Sequence, residues 1–159
     1  MDIILIAAVT QDGFIARHPH ETIRWSKDLS LFKEQTTGWP VIMGSNTFNC
    51  INRELKDRKI IVMHREDSPK GVLDTIDKEK CFIAGGGKTN MRFAPYLTHL
   101  YITPHPNVFG SGVCLFSGPV KEMNLVFESV VPVDKINGVF SFNIVLIKIK
   151  NDLNRAQHK

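Results

Sequence analysis

Seven consecutive apolar residues, Ile3 to Val9, constrain this chain more than any other feature. A strand with one wet face alternates polar and apolar residues. This run does not alternate, so it reads as a strand buried on both faces. It is far shorter than the about 20 residues that a membrane-spanning helix needs. Asp2 stands where a secretory leader would carry basic residues, so neither a leader nor a membrane partner is expected. A strand covered on both faces requires a layer on each side of its sheet. Helical crossovers between parallel strands supply such layers, which points to an α/β fold.

The rest of the chain follows that grammar. Pro40–Met43, Lys59–Met63, Lys80–Ala84 and His99–Thr103 read as further strands. Helices are expected from a cap at Ser26 to about Thr36, from a cap at Ser45 to about Ile51, and from Lys88 to about Pro95. The connection Arg65–Glu79 has room only for a stub of helix. Two long β-patterned runs, Asn124–Val133 and Val139–Lys150, flank the turn Asp134–Gly138 and predict a closing antiparallel hairpin. The sheet is thus expected to be mainly parallel with an antiparallel edge. At about 100–200 residues per domain, 159 residues suit one domain, taken as residues 1–150, with a polar tail at 151–159.

Charge narrows the function classes. The net charge is +4, from 20 Lys+Arg against 16 Asp+Glu. That excess permits an anionic ligand, but no dense basic block demands nucleic acid. Cys50, Cys81 and Cys114 form no Cys-x-x-Cys pair and read as reduced thiols of a cytoplasmic protein. The histidines show no metal-ligand spacing, so no metal is expected. No nucleophile elbow, catalytic cysteine signature or glycosidase carboxylate pair is present.

The segment around Asp28 is more informative. On a helical wheel with Asp28 at zero, Phe32 falls near 40°, Leu29 near 100° and Leu31 near about −60°. Asp28 therefore lies within the apolar arc. One reading is an acid in the first turn that favours the helix dipole and stays solvated. The other is a buried acid, costly unless paired, that accepts two parallel hydrogen bonds from an amidine-like ligand edge.

Two strand–glycine–helix turns suggest a phosphate grip: Gly85-Gly86-Gly87, and Met43-Gly44-Ser45-Asn46-Thr47. Neither is a P-loop or a Gly-x-Gly-x-x-Gly fingerprint, and a plain tight turn is the competing reading. Arg65 follows a strand, as suits a ribose 2′-phosphate, with Lys88 and Arg92 able to join it. Glu66 and Asp67 directly after it weaken that preference, and a solvated loop cation is the alternative.

Ile6-Ala7-Ala8, Trp25, Asp28-Leu29 with Phe32-Lys33, Pro40-Val41-Ile42-Met43-Gly44 with Thr47-Phe48, Arg58-Lys59 and Gly85–Gly87 occur in an order that resembles the dihydrofolate reductase family. The closing hairpin resembles it too. The resemblance implies a three-layer α/β sandwich around a mainly parallel sheet of about eight strands. It implies NADPH-dependent reduction of 7,8-dihydrofolate to tetrahydrofolate by hydride transfer to pterin C6; a monomer is expected, with an oligomer left open. Asp28 would bond the pterin N3 and 2-amino group, with Trp25 and Thr103 in support. Ile6, Ala7, Leu29, Phe32 and Ile51 would pack on the substrate, and Arg58 would pair with its glutamate carboxylate. Gly44, Ser45, Asn46, Thr47, Met63, His64, Arg65, Ala84, Gly86, Gly87, Lys88 and Thr89 would hold the cofactor, with Ala8 and Ile15 near its nicotinamide.

The departures are specific. Arg24 precedes Trp25 where a proline is usual, and the segment from Trp25 to Asp28 is short. Asn90 stands where a cofactor-side tyrosine is common, and Ser45 replaces a frequent basic residue. The pieces Asp12-Gly13-Phe14-Ile15-Ala16 and Ile102-Thr103-Pro104 with Phe109-Gly110-Ser111-Gly112 resemble instead the pyrimidine reductase of riboflavin synthesis, which shares the fold and NADPH. Asp28 with Phe32 favours the folate branch. A non-catalytic nucleotide- or RNA-binding domain is the third reading. It would bind polyanions with strong salt dependence, but aromatics at 9% are not interleaved with basic residues.

Overall fold

A computed structural model of the chain describes residues 1–51 and 55–148. The expected tail at 151–159 and the end of the run Val139–Lys150 lie outside the described residues. The strands are β1 (Asp2–Val9), β2 (Phe14–Ala16), β3 (Pro40–Gly44), β4 (Lys59–Met63), β5 (Lys80–Ile83), β6 (His99–Pro104), β7 (Val113–Cys114), β8 (Asn124–Asp134) and β9 (Val139–Ile147). The helices are α1 (Leu29–Thr36), α2 (Ser45–Asn49), α3 (Pro69–Asp74) and α4 (Gly87–Phe93), the last continued by a short 3₁₀ turn at Ala94–Tyr96.

The main sheet has seven strands in the order β4-β3-β5-β1-β6-β9-β8. The first five run parallel; β9 is antiparallel to β6, and β8 is antiparallel to β9. The expected count of about eight gives way to seven, with β2 and β7 pairing separately. Those two strands span three residues and two, too few to show a period in the sequence.

β1 pairs with β5 on one edge and β6 on the other. Its side chains alternate between two cores. Ile3 and Leu5 join Ile42, Met63, Ile83, Leu100, and Leu73 and Phe93 from α3 and α4. Ile4 and Ile6 join Val41, Met43 and Phe82, with Phe32 of α1 packed against them. The double burial read from Ile3–Val9 is therefore met by helices on both faces. Each fully buried large side chain contributes about 1.5–3 kcal/mol of transfer free energy. β8 is the outer edge, and Leu125, Val126, Phe127 and Val130 on it are exposed.

Helix starts differ from expectation in an informative way. α1 begins at Leu29, not after a Ser26 cap, and Asp28 is its N-cap residue. Ser26 is buried instead. α2 begins with Ser45 inside the helix, and Gly44 is the cap. α3 is the expected stub; Pro69 opens it, and the Ser68 hydroxyl accepts the Gly71 N–H at 3.0 Å.

Asp12 pins the turn after β1 to the loop after β6. Its carboxylate accepts the Thr10 hydroxyl at 2.6 Å, the Phe109 N–H at 3.2 Å and the Gly110 N–H at 2.7 Å. The Thr10 bond, then the two amides, hold its pKa below the ordinary 3.8. A lowered folded pKa stabilises the folded state above the ordinary value and is lost as pH falls through the lowered one. In an acid titration followed by amide NMR, the Gly110 amide is expected to shift only below 3.8. Asp12→Asn removes that step. A midpoint at or above the ordinary value contradicts the latch.

Candidate active site

The carboxyl ends of β1, β3, β4 and β5 open into one cleft of about 1220 Å³, where ligands of open parallel sheets bind. β1 turns small at this end. Ala7 and Ala8 form part of the wall beside Ile6, and Ile15 of β2 lines the cleft as well.

Asp28 lines the cleft and is only 8% exposed. Its backbone carbonyl accepts the Phe32 N–H at 2.8 Å and starts α1. Its side chain makes no capping bond. Among the described residues it has no hydrogen-bond partner, so its two oxygens are left to a molecule in the cleft. A buried carboxylate in that position demands such a partner. The wheel therefore finds the burial correctly but for the wrong turn: Asp28 caps α1 and does not lie within it. Around it stand Ile6, Leu29, Phe32, Ile51 and Leu55. Trp25 lines the cleft too. Its ring meets His105 and Phe109 edge-on at 5.2 and 5.1 Å. Its buried indole N–H lies near Glu21 without hydrogen-bond geometry.

Thr103 and Arg58 are placed differently from expectation. Thr103 is buried, does not line the cleft, and makes no bond to Asp28. Its backbone carbonyl takes His105 Nδ1 at 2.8 Å, and His105 Nε2 takes the Lys27 N–H at 2.9 Å. The link from β6 to the acid thus runs through a histidine. Arg58 lies in an adjoining pocket of about 260 Å³ that shares Leu29, Phe32 and Leu55 with the cleft. Its Nε donates to the Lys56 carbonyl at 3.0 Å, and its guanidinium lies 5.8 Å from the Phe32 ring centre.

The glycine turns meet as expected. The Gly44 N–H donates to the Gly85 carbonyl at 2.9 Å, which brings β3 and the Gly85–Gly87 turn together. A Cβ on Gly44 would lie 2.8 Å from the Thr89 hydroxyl. Thr47 and Thr89 face this backbone from α2 and α4. Asn90, in the position noted for a tyrosine, is buried; its Oδ1 accepts the Gly85 N–H at 3.2 Å and its Nδ2 donates to the Leu115 carbonyl at 2.9 Å. It braces the turn.

Ser45, Asn46, Met63, His64, Arg65, Ala84, Gly86, Gly87 and Lys88 also line the cleft. Arg92 does not join Arg65 as a second free cation. Its guanidinium donates to the carbonyls of His64 and Arg65, at 3.0 and 3.4 Å, and of Asp67. It holds the loop that carries Arg65. The wall residues Leu55, Cys50, Cys114 and Gly112 are not foreseen from sequence. They come from loops and from β7, where no periodicity marks a facing side. His105 carries a weak signal: a histidine between two prolines directly after a strand.

The chain is similar to known proteins in sequence and in fold. A sequence model described as dihydrofolate reductase matches residues 2–117. A dihydrofolate reductase of Haemophilus influenzae is 32% identical over 114 residues, covering 65% of this chain and 71% of that protein. One of Bacillus subtilis is 39% identical over 88 residues, covering 48% and 52%. A type 3 dihydrofolate reductase of Salmonella typhimurium is 35% identical over 117 residues, covering 65% and 71%. Among solved structures, the dihydrofolate reductase of Enterococcus faecalis, complexed with NADP(H) and RAB-propyl, superposes with a TM-score of 0.73. It is 22% identical and covers 92% of this chain and 97% of that one, a likeness of fold.

Gly87 is the tightest point of the turn. A Cβ there would enter the Ser117 hydroxyl and lie within 2.5 Å of the Cys114 carbonyl oxygen. Overpacking of this kind costs about 1–3 kcal/mol. Gly87→Ala is expected to lower the urea midpoint by the corresponding amount with an unchanged slope. An unchanged midpoint would mean that β7 gives way freely.

Proposed function

The chain belongs to the dihydrofolate reductase family, and from that premise we propose that it reduces 7,8-dihydrofolate to tetrahydrofolate with NADPH. The observation that carries the proposal is Asp28: a buried carboxylate without a bond to the described protein groups, facing a cleft whose other walls include a glycine cradle and Arg65. The chain acts as a cytoplasmic monomer, residues 1–150 form one domain, and neither nucleic acid nor a membrane is a partner. Among the described residues no helix is long and apolar enough to cross a membrane.

NADPH supplies the hydride for C6 of the pterin. Its pyrophosphate would lie against Gly44, Gly86 and Gly87, where a Cβ on Gly44 would meet the Thr89 hydroxyl and one on Gly87 would meet the Ser117 hydroxyl and the Cys114 carbonyl. The Thr47 and Thr89 hydroxyls and Ser45, Asn46 and Lys88 complete that site. Met63 ends β4, and His64 and Arg65 follow it toward the 2′-phosphate, Arg65 as its charge partner. Ala84 follows β5 beside this site. Ala8 and Ile15 give the nicotinamide a small apolar bay.

Asp28 accepts the pterin N3–H and one 2-amino hydrogen, which fixes the ring in one orientation. Its negative charge favours the cationic, N5-protonated substrate. Water delivers the N5 proton. Ile6, Ala7, Leu29, Phe32 and Ile51 exclude bulk solvent from the rings, and the Trp25 N–H donates to the substrate or a bound water. Thr103 acts at one remove, through its carbonyl. Arg58, in the adjoining pocket, receives the substrate's carboxylate tail.

NADPH absorbance followed with dihydrofolate tests the reading, and its loss is expected. Oxidation only with the riboflavin-pathway pyrimidine would transfer the chain to that branch. Asp28→Asn is expected to lower kcat/KM for dihydrofolate by about 10²–10³-fold, the scale of losing one electrostatic stabiliser, while the dissociation constant for NADPH stays unchanged. Normal turnover in the mutant at neutral pH would remove Asp28 from the site. Arg65→Gln is expected to raise the KM for NADPH by about tenfold, as a lost charge-assisted bond does, with no change for NADH. Equal effects on both cofactors would place the 2′-phosphate elsewhere.

A further inference from the structure

We propose that His105 is a positioning residue that holds Asp28 at the cleft wall through the Lys27 amide. The proposal rests on the dihydrofolate-reducing reading above and adds to it a residue that touches neither substrate nor cofactor.

His105 is 1% exposed and sits directly after β6. Its two ring nitrogens have partners of opposite kind. Nδ1 lies 2.8 Å from the Thr103 carbonyl; a carbonyl only accepts, so Nδ1 carries the proton. Nε2 lies 2.9 Å from the Lys27 backbone nitrogen; an amide N–H only donates, so Nε2 offers its lone pair. The partners therefore select a neutral imidazole in the Nδ1–H tautomer. The His105 backbone is anchored to the sheet. Its N–H donates to the Val9 carbonyl at 2.8 Å, and its carbonyl accepts the Gln11 side-chain amide at 3.0 Å. One face-edge contact with Trp25, at 5.2 Å between centres, completes the brace.

Besides the Trp25–Phe109 ring contact and the burial of Ser26, the segment it holds has little else to fix it. Among the described residues, no other hydrogen bond ties the backbone of residues 25–27 to the sheet. Asp28 spends no side-chain bond on capping α1, so its direction depends on the chain before it. The stretch from Trp25 to Asp28 is short, and Lys27 is the residue directly before the acid. A displacement of the acid by about 1 Å can cost up to about 10²-fold in rate.

The test compares His105→Gln with His105→Asn. A glutamine places its amide oxygen near the Nε2 position and can still accept the Lys27 N–H. An asparagine reaches only the Nδ1 position and serves Thr103. Each loses one bond, so a merely structural role moves both alike. His105→Asn is expected to lower kcat with dihydrofolate by about tenfold or more, with the KM for NADPH unchanged. His105→Gln recovers most of that loss. Nitrogen-15 imidazole spectra of the unmodified protein are expected to show a neutral, Nδ1-protonated ring. Equal losses in the two variants, or an Nε2-protonated ring, overturn the proposal. Dihydrofolate turnover by the unmodified protein is measured first. If it is absent, the activity reading fails. The imidazole spectrum of the unmodified protein and the Trp25 fluorescence of the two variants, read in a Trp39→Phe background, then still decide whether His105 holds the segment.

Discussion

Burial of β1 on both faces is the constraint from which the other parts descend. Ile3 and Leu5 need one apolar layer, and Ile4 and Ile6 need another. α3 and α4 supply the first, and α1 supplies the second. With β5 and β6 on its two edges, the strand's backbone donors and acceptors are also satisfied. The same strand then changes role along its length. Large side chains fill the core up to Ile6, and Ala7 and Ala8 follow where the cleft begins. Small residues there let a planar ring approach the sheet.

The cleft joins two kinds of surface. Around Asp28 the walls are apolar, so one carboxylate in a poorly solvated setting can discriminate between protonation states of a ring. Near Gly44 and Gly86 the surface is backbone and hydroxyl, with Arg65 and Lys88 at hand for charge. The loops that carry these groups lack a ladder of their own. Side chains hold them instead: Arg92 of α4 grips the carbonyls after β4, Asn90 of α4 braces the glycine turn, and Asp12, itself in the turn after β1, ties two loops together. Each such bond contributes on the order of 1 kcal/mol, enough to fix a loop and too little to determine the fold.

What the sequence reveals follows the range of the interactions involved. The strands show well because burial imposes a pattern over four or more residues, and β4 and the hairpin fall where the pattern places them. The glycine turns show because close backbone approach admits few residue types. Helix starts are read less well. Ser26 has the composition of a cap, but the Lys27 amide is taken by His105, and the helix begins later at Asp28. β2 and β7 are too short for any period. The support of Asp28 is missed because His105 lies 78 positions along the chain from Lys27, and pairings at that range leave no local trace. Family resemblance offers Thr103 for this duty, and the structure gives it to the backbone of Thr103 acting through a neighbouring ring.

The position of β1 in the chain has a consequence for synthesis. Asp2 pairs with Lys80, and Ile4 pairs with His99. On the ribosome this apolar strand emerges while both of its partners, β5 and β6, are still unmade. At about 5–20 residues per second, it waits several seconds with both edges and both faces unsatisfied. The central beam of the finished sheet is thus an uncovered apolar segment of the nascent chain until β5 and β6 have been made.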